Sequence, residues 1–393
     1  MWKRALTLTI ATAVLVAPAG PAVAAPTAAG LQDKLEAVHA AGMPGVFAEV
    51  RDGRRTWTPT AGVIDLRSDR PVRDGLRHRV GSITKSFVAT TVLQLAGEGR
   101  VRLDAPIGRY LPAGLVPADL GRRVTVRMLL SHTSGIGDFD TELLKSLDDL
   151  VEIGRTTYTP RQLVRIGLGA PPTTGWSYSN TNYVLAGLIV EKVTGRSLES
   201  EVSRRIVRPL GLRDTYFEGA DPVIRGPHMH AYVPWPPDGT PRDFTRYNMS
   251  WLWASGDLVS TAHDLNTFYR ALLTGELLNR RLLAEMKTTV PRDPDFPQAG
   301  GYGLGLYWVA LSCGRFWGHD GGTVGHQTVS WHSEDGRRQM TYAQSMAFYQ
   351  TSPTEPHPID LASYAFFEAA LCDADIPVTA RSTAGPGRLL VDR

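Results

Sequence analysis

Cysteine is nearly absent: Cys313 and Cys372 are the two in 393 residues. A structural zinc site needs several well-spaced cysteine and histidine ligands, and a thiol nucleophile needs a partner imidazole in a reducing setting, so neither chemistry is expected. An excess of one charge is missing as well. Lys and Arg number 42 against 39 Asp and Glu, a net of +3, and no basic run is interleaved with aromatics. The footprint of a nucleic-acid binder is therefore lacking. Beyond the N-terminus no apolar stretch approaches the roughly 20 residues that cross a bilayer. There is no Gly-x-Ser-x-Gly elbow, no phosphate loop and no dinucleotide fingerprint, which leaves an α/β-hydrolase or a nucleotide enzyme without support. No long period repeats, so a solenoid is excluded.

What is present is a globular composition, 42% hydrophobic and 21% charged. The length exceeds the roughly 250–300 residues at which one core stops growing, so two lobes or one large domain are expected. Met1-Trp2-Lys3-Arg4, the apolar run Ala5 to Val16 and the small residues Ala22-Val23-Ala24 read as a signal peptide over 1–24. The expectation is a secreted chain without a transmembrane anchor, in which Cys313 and Cys372 form one disulfide.

Leu31, Leu35 and Val38 recur at helical spacing, giving a first helix over about 30–41. Val46 to Val50 and Thr56 to Ile64 read as a hairpin turning at Asp52-Gly53. Tyr302 to Leu311, Thr328 to His332 and Arg338 to Gln344 are strand-like, and Ile359 to Leu371 is a closing helix. The middle is helical with long loops, among them the proline-rich Val233 to Gly239. Strands at both ends around a helical middle predict one sheet built from 30–81 and 296–372, with an inserted helical lobe over 82–295 and a tail over 373–393.

Three segments carry the chemistry. Gly81-Ser82-Ile83-Thr84-Lys85 opens an amphipathic run (Phe87, Val88, Leu93, Leu95). A residue three positions on shares a helix face, so the Lys85 amine can reach the Ser82 hydroxyl and, if desolvated, accept its proton. The same pattern also describes an N-capping serine beside a solvated lysine. Tyr178-Ser179-Asn180 offers a phenol that can relay protons if Lys85 lowers its pKa, and an amide that can orient a substrate carbonyl. Gly318-His319-Asp320-Gly321-Gly322 is a glycine-rich strand whose backbone can lie against a ligand.

In that order and spacing, Ser82-x-x-Lys85, Tyr178-x-Asn180 and His319-x-Gly321 resemble the three motifs of the serine β-lactamase and D-alanyl-D-alanine carboxypeptidase superfamily, in its class C β-lactamase-like branch. Leu129 to Gly135, Ser255 to Thr261 and Gly301 to Leu306 also resemble family segments. The resemblance implies an α+β fold, an antiparallel sheet flanked by helices with an inserted all-helical lobe, and a groove between them. It implies Ser82 as the acylated nucleophile, with Lys85 and Tyr178 moving its proton. Asn180, His319 and Trp251 would contact substrate or support Tyr178, and the N–H groups of Ser82 and Gly322, beside Gly321, would stabilise the oxyanion. It also places Cys313 and Cys372 at a family disulfide. The chain departs from the carboxypeptidases at Asp320-Gly321-Gly322, where they carry hydroxyls, and at Tyr307, where they carry an arginine for the substrate carboxylate.

The leading expectation is a D-alanyl-D-alanine carboxypeptidase acting through a Ser82 acyl-enzyme on peptidoglycan-type peptides. The alternatives are an esterase, D-amino-acid amidase or β-lactamase on the same scaffold, and a non-catalytic penicillin-binding module. No cofactor and no metal are expected, although His228-Met229-His230 has chelating residues; His132 and His263 read as loop or cap residues. The partner is a small peptide or ester substrate, and the chain is expected to be a monomer.

Overall fold

The computed structural model describes residues 27–352 and 355–373. The expected signal peptide and all of the tail beyond Asp373 lie outside them. Ten strands form the main sheet, which is antiparallel. The chain's first strand, Gly45–Asp52, pairs with its last, Arg338–Gln344, so the two ends of the sequence meet at the middle of the sheet. From there the order runs through Gln327–His332, Gly314–Gly322, Tyr307–Leu311 and Gly300–Tyr302 to the edge at Val290–Pro291. On the other side Gly45–Asp52 pairs with Thr60–Asp65, and Thr60–Asp65 with Ser68–Pro71.

One face of this sheet is covered by the first helix, Ala28–Ala40, and the last, Pro358–Cys372. Leu31, Leu35 and Val38 recur on one stripe because only that side meets the sheet; they pack with Val46, Trp331, Tyr342 and Phe366. The helix Ala262–Leu273 lies against the opposite face. There the Asn266 side chain donates to the Glu49 carbonyl and accepts from Thr341 Oγ1, tying helix to sheet through buried polar groups.

A second and larger core surrounds the helix Thr84–Gly97. The sequence predicts an amphipathic helix here, but every residue from Thr84 to Leu93 is buried, because helices and sheet enclose it on all sides. Asn180–Thr194 packs beside it and is equally buried over its first turns. The resulting architecture is α+β, as the motifs imply.

Three local readings need correction. The strand-like run Tyr302 to Leu311 is two strands, since Gly303-Leu304-Gly305-Leu306 turns the chain back on itself. The run Thr56 to Ile64 is also divided, into Arg55–Trp57 and Thr60–Asp65, at Thr58-Pro59, where proline has no N–H for a ladder. The proline-rich segment is not a loop but a hairpin, Tyr232–Trp235 with Thr240–Asp243, closed by Asp238-Gly239. No helix among the described residues is long and apolar enough to cross a membrane.

Candidate active site

Ser82 stands in a single 3-10 turn, Gly81–Ile83, that runs directly into Thr84–Gly97. Two glycines allow this turn to press against the strand Gly314–Gly322. Gly81 has φ +55°, and a Cβ on it would lie 2.6 Å from the Gly322 carbonyl oxygen and 2.8 Å from its nitrogen. A Cβ on Gly321 would lie 1.9 Å from the Val80 oxygen and 2.8 Å from the Ser82 nitrogen. The two backbones therefore run side by side, with the amides of Ser82 and Gly322 as neighbours.

Lys85 is fully buried, and its Nζ lies 3.0 Å from Ser82 Oγ, 2.6 Å from Asn180 Oδ1 and 2.7 Å from the Ser255 carbonyl oxygen. The two carbonyl oxygens can only accept, so they hold two of the amine hydrogens. The remaining tetrahedral position points at Ser82 Oγ. It carries a hydrogen when Lys85 is an ammonium and a lone pair when it is an amine, so a proton can pass between the two side chains without rotating either.

Asn180 begins its helix and is held by two carboxylates the sequence reading did not single out. Its backbone N–H donates to Asp138 Oδ1 at 3.0 Å, and its Nδ2 donates to Asp138 Oδ2 at 3.2 Å and Asp140 Oδ2 at 2.7 Å. Both amide hydrogens are spoken for, which fixes Oδ1 toward Lys85. In this arrangement the amide positions the lysine, whereas the sequence reading gave it a substrate carbonyl. Tyr178, two residues earlier, has its ring 4.8 Å from Lys85 Nζ and stacked on His132 at 4.3 Å.

Behind Tyr178 runs a chain of hydrogen bonds through three separate segments. Ser179 N donates to His132 Nδ1, so the other nitrogen of that neutral ring carries the proton. His132 Nε2 donates to Tyr302 Oη at 3.2 Å, and Tyr302 Oη is hydrogen-bonded to His319 Nε2 at 2.9 Å. His319 Nδ1 donates in turn to the Asp320 carbonyl. Burial, and after it the Lys85 charge, hold His132 well below the usual imidazole range, which keeps it neutral. His132 and His319 thus brace the wall on which Tyr178 rests. His319 is 1% exposed and its two ring nitrogens are engaged by Tyr302 and Asp320.

Beside Gly321 and Gly322 opens a cavity of about 570 Å³. Leu144, Leu147, Trp251, Leu252, Val324 and Phe348 supply most of its apolar lining, and Asp140, Thr141, Asp320, Thr323, Gln327 and Gln350 its polar side chains; among the described residues no Lys, Arg or His lines it. Trp251, which the resemblance assigns to a wall of the groove, is among the residues lining this cavity, and its buried Nε1 has no hydrogen-bond partner among the described residues. Asp320 is anchored by the Tyr307 hydroxyl, which donates to its Oδ1 at 3.0 Å.

Elsewhere, Cys313 and Cys372 stand with sulfurs at bonding distance and Cα atoms 5.4 Å apart, joining the end of a strand hairpin to the last helix. His230 has two acidic neighbours that are remote in sequence: its Nδ1 lies 3.0 Å from Asp243 Oδ2 and 3.7 Å from Asp65 Oδ1. Arg67 reaches both carboxylates, so the cluster reads as an ion-pair network. His228 contacts neither acid and stacks on His230 at 6.0 Å.

The beta-lactamase family model matches residues 31–354. Esterase EstB of Burkholderia gladioli is 35% identical over 182 residues, 44% of this chain and 46% of that protein. The chain spans about half or less of the first two such relatives. Among solved structures, a D-stereospecific amidohydrolase from Streptomyces sp. superimposes with a TM-score of 0.78 and 40% identity, covering 89% of this chain and 100% of that one. The D-amino acid amidase from Ochrobactrum anthropi SV3 gives a TM-score of 0.75 at 27% identity, covering 87% and 97%.

Proposed function

The chain belongs to the beta-lactamase family and is a serine hydrolase, and from that premise we propose that it is an exported enzyme that cleaves amides or esters of D-amino acids through a Ser82 acyl-enzyme. Ser82 Oγ attacks the substrate carbonyl carbon while its proton passes to Lys85 Nζ, along the 3.0 Å contact. The oxyanion forms against the neighbouring N–H groups of Ser82 and Gly322. The Tyr178 hydroxyl delivers a proton to the leaving amine or alkoxide as the carbonyl–leaving-group bond breaks, and takes back the one that Lys85, 4.8 Å from its ring centre, received from Ser82. Water then attacks the ester, giving up its proton along the same route, and frees Ser82. In the exported chain Cys313 and Cys372 are bonded.

The observation that carries the substrate half of this reading is the cavity: apolar walls, carboxylates at Asp140 and Asp320, and no cation in its lining. It suits an acyl group with a large apolar side chain and a free ammonium, and it opposes an anionic one. The names of the two solved relatives, an amidohydrolase specific for D-substrates and a D-amino acid amidase, support the same choice. It is preferred to the D-alanyl-D-alanine carboxypeptidase expected from the motifs, whose substrate carries an acylated amine.

The test is turnover of D-phenylalaninamide against diacetyl-lysyl-D-alanyl-D-alanine, with Ser82→Ala as the control. Ammonia release from the amide that vanishes in the variant supports the reading. D-alanine release without amide turnover would return the assignment to a carboxypeptidase.

A further inference from the structure

Tyr178 has no helix or strand of its own to hold it. It lies in the irregular stretch between the helices Pro160–Gly169 and Asn180–Thr194. A misplacement of about 1 Å can cost a reaction about 10²-fold in rate, so the phenol has to be fixed from outside that stretch.

One residue contacts all three positions around it. The His132 carbonyl accepts from the Ser177 N–H at 3.0 Å, and His132 Nδ1 accepts from the Ser179 N–H at 3.1 Å. Between these two bonds the imidazole lies on the Tyr178 ring, 4.3 Å centre to centre and 29° from parallel. The imidazole is itself oriented. Asn182 Oδ1 accepts from Ser134 Oγ, so the other end of that amide donates to His132 Nδ1 at 3.4 Å, while Nε2 faces Tyr302 Oη. Ser179 Oγ adds a bond to the Gly137 carbonyl, on the same stretch of chain as His132.

The backbone of His132 carries an independent mark. The helix Val126–Leu130 ends in Ser131, the Thr133 N–H reaches back to the Met128 carbonyl, and His132 between them has φ +59°. A helix end of this kind ordinarily takes glycine, which adopts a positive φ without strain. A side chain kept in that conformation is one its surroundings hold there, and such residues cluster at functional sites. The sequence reads His132 as a loop or cap residue, and it does cap this helix. Glycine would cap it equally well, but would offer Ser179 no acceptor and Tyr178 no ring.

We propose that His132 is the positioning residue of the general acid: its carbonyl, Nδ1 and ring face hold Ser177, Tyr178 and Ser179 where the phenol can serve the leaving group. This rests on the acyl-enzyme mechanism above and adds a residue that acts through Tyr178 and carries no proton of the reaction. The consequence is selective. An amine departs only with a proton and p-nitrophenolate departs without one, so a displaced Tyr178 slows amides far more than an activated ester.

The experiment measures kcat and KM on D-phenylalaninamide, acylation by p-nitrophenyl acetate and the thermal midpoint in wild type, Tyr178→Phe, His132→Phe and His132→Asn. His132→Phe keeps a ring to stack and loses the acceptor; His132→Asn keeps an acceptor on a residue that tolerates positive φ and loses the ring. Each is expected to lower kcat on the amide by about tenfold or more with KM nearly unchanged, and to leave ester acylation within about threefold. That selective loss in either His132 variant supports the proposal, and if one variant does not fold the other decides. Equal losses on amide and ester, or no loss on either, in the folded His132 variants would overturn it while Tyr178→Phe still separates the two substrates. A Tyr178→Phe enzyme with the wild-type ratio of amide to ester, or a wild type that does not turn over the amide, would overturn the parent reading and this one with it.

Discussion

Replacing Gly321 by alanine should abolish most of the activity while leaving the protein folded. The added Cβ would sit 1.9 Å from the Val80 carbonyl oxygen and 2.8 Å from the Ser82 nitrogen, and real Cβ atoms stay beyond 3.0 Å. Both obstacles are backbone, so no flexible side chain can swing aside, and the strand must retreat from the Ser82 turn by about 1 Å. Displacement on that scale lowers rates by about 10²-fold, and loss of one oxyanion donor costs about 10²–10³. The strand Gly314–Gly322 is held along both edges by Tyr307–Leu311 and Gln327–His332, so the shift should stay local and cost about 1–3 kcal/mol of stability. The assay is the acylation rate with an activated acetyl ester, read beside the thermal unfolding midpoint. A variant acylating within fivefold of wild type would refute the claim that the contact between Gly321 and the Ser82 turn sets the oxyanion site.

Asp138→Ala removes two hydrogen bonds to Asn180 and should lower stability by about 1–3 kcal/mol and kcat by about tenfold or more, seen by urea melts and acylation kinetics. Glu218→Ala leaves Arg79, 1% exposed, as an unpaired buried charge and should cost about 3–5 kcal/mol in the same melts. Stability should also fall with acidification below about pH 6.5. His78 and His332 are fully buried and pushed down to about 3, so the unfolded chain binds their protons first, and unfolding gains up to about 2.7 kcal/mol per pH unit from the pair. A urea midpoint that stays flat from pH 7.5 to 5 would contradict this.

Much of the site is legible in sequence because its members are close in the chain. Ser82 and Lys85 are three residues apart on one helical turn, and Tyr178 and Asn180 flank a single residue. What escaped was tertiary. Asp138 and Asp140 meet Asn180 across 42 and 40 residues, and Ser255 offers Lys85 only a backbone carbonyl, which no residue type announces. The chain through His132, Tyr302 and His319 joins three separate segments, and no local spacing signals that they share protons. The fold followed the same rule. Hydrophobic periodicity marked the first helix, which is buried on one stripe, and misread Thr84–Gly97, since a helix enclosed on all sides has no polar face to display.

The placing of charge around the nucleophile also bears on how a substrate enters. Asp140 and Asp320 line the acyl cavity, and the Tyr307 hydroxyl is committed to Asp320. A peptide entering in reverse would bring its carboxylate, in place of its ammonium, to the two aspartates. At about 4 Å and an effective dielectric near 20, each such contact is worth about 4 kcal/mol, opposed in the reversed complex and favourable in the forward one. Apolar walls such as Leu144, Leu147 and Phe348 accept a hydrophobic side chain from either residue of a peptide and so give little sense of direction. Direction is therefore an electrostatic property of this groove, and raising the salt concentration should erode selectivity for a free ammonium over its acetylated counterpart before it erodes turnover of an uncharged ester.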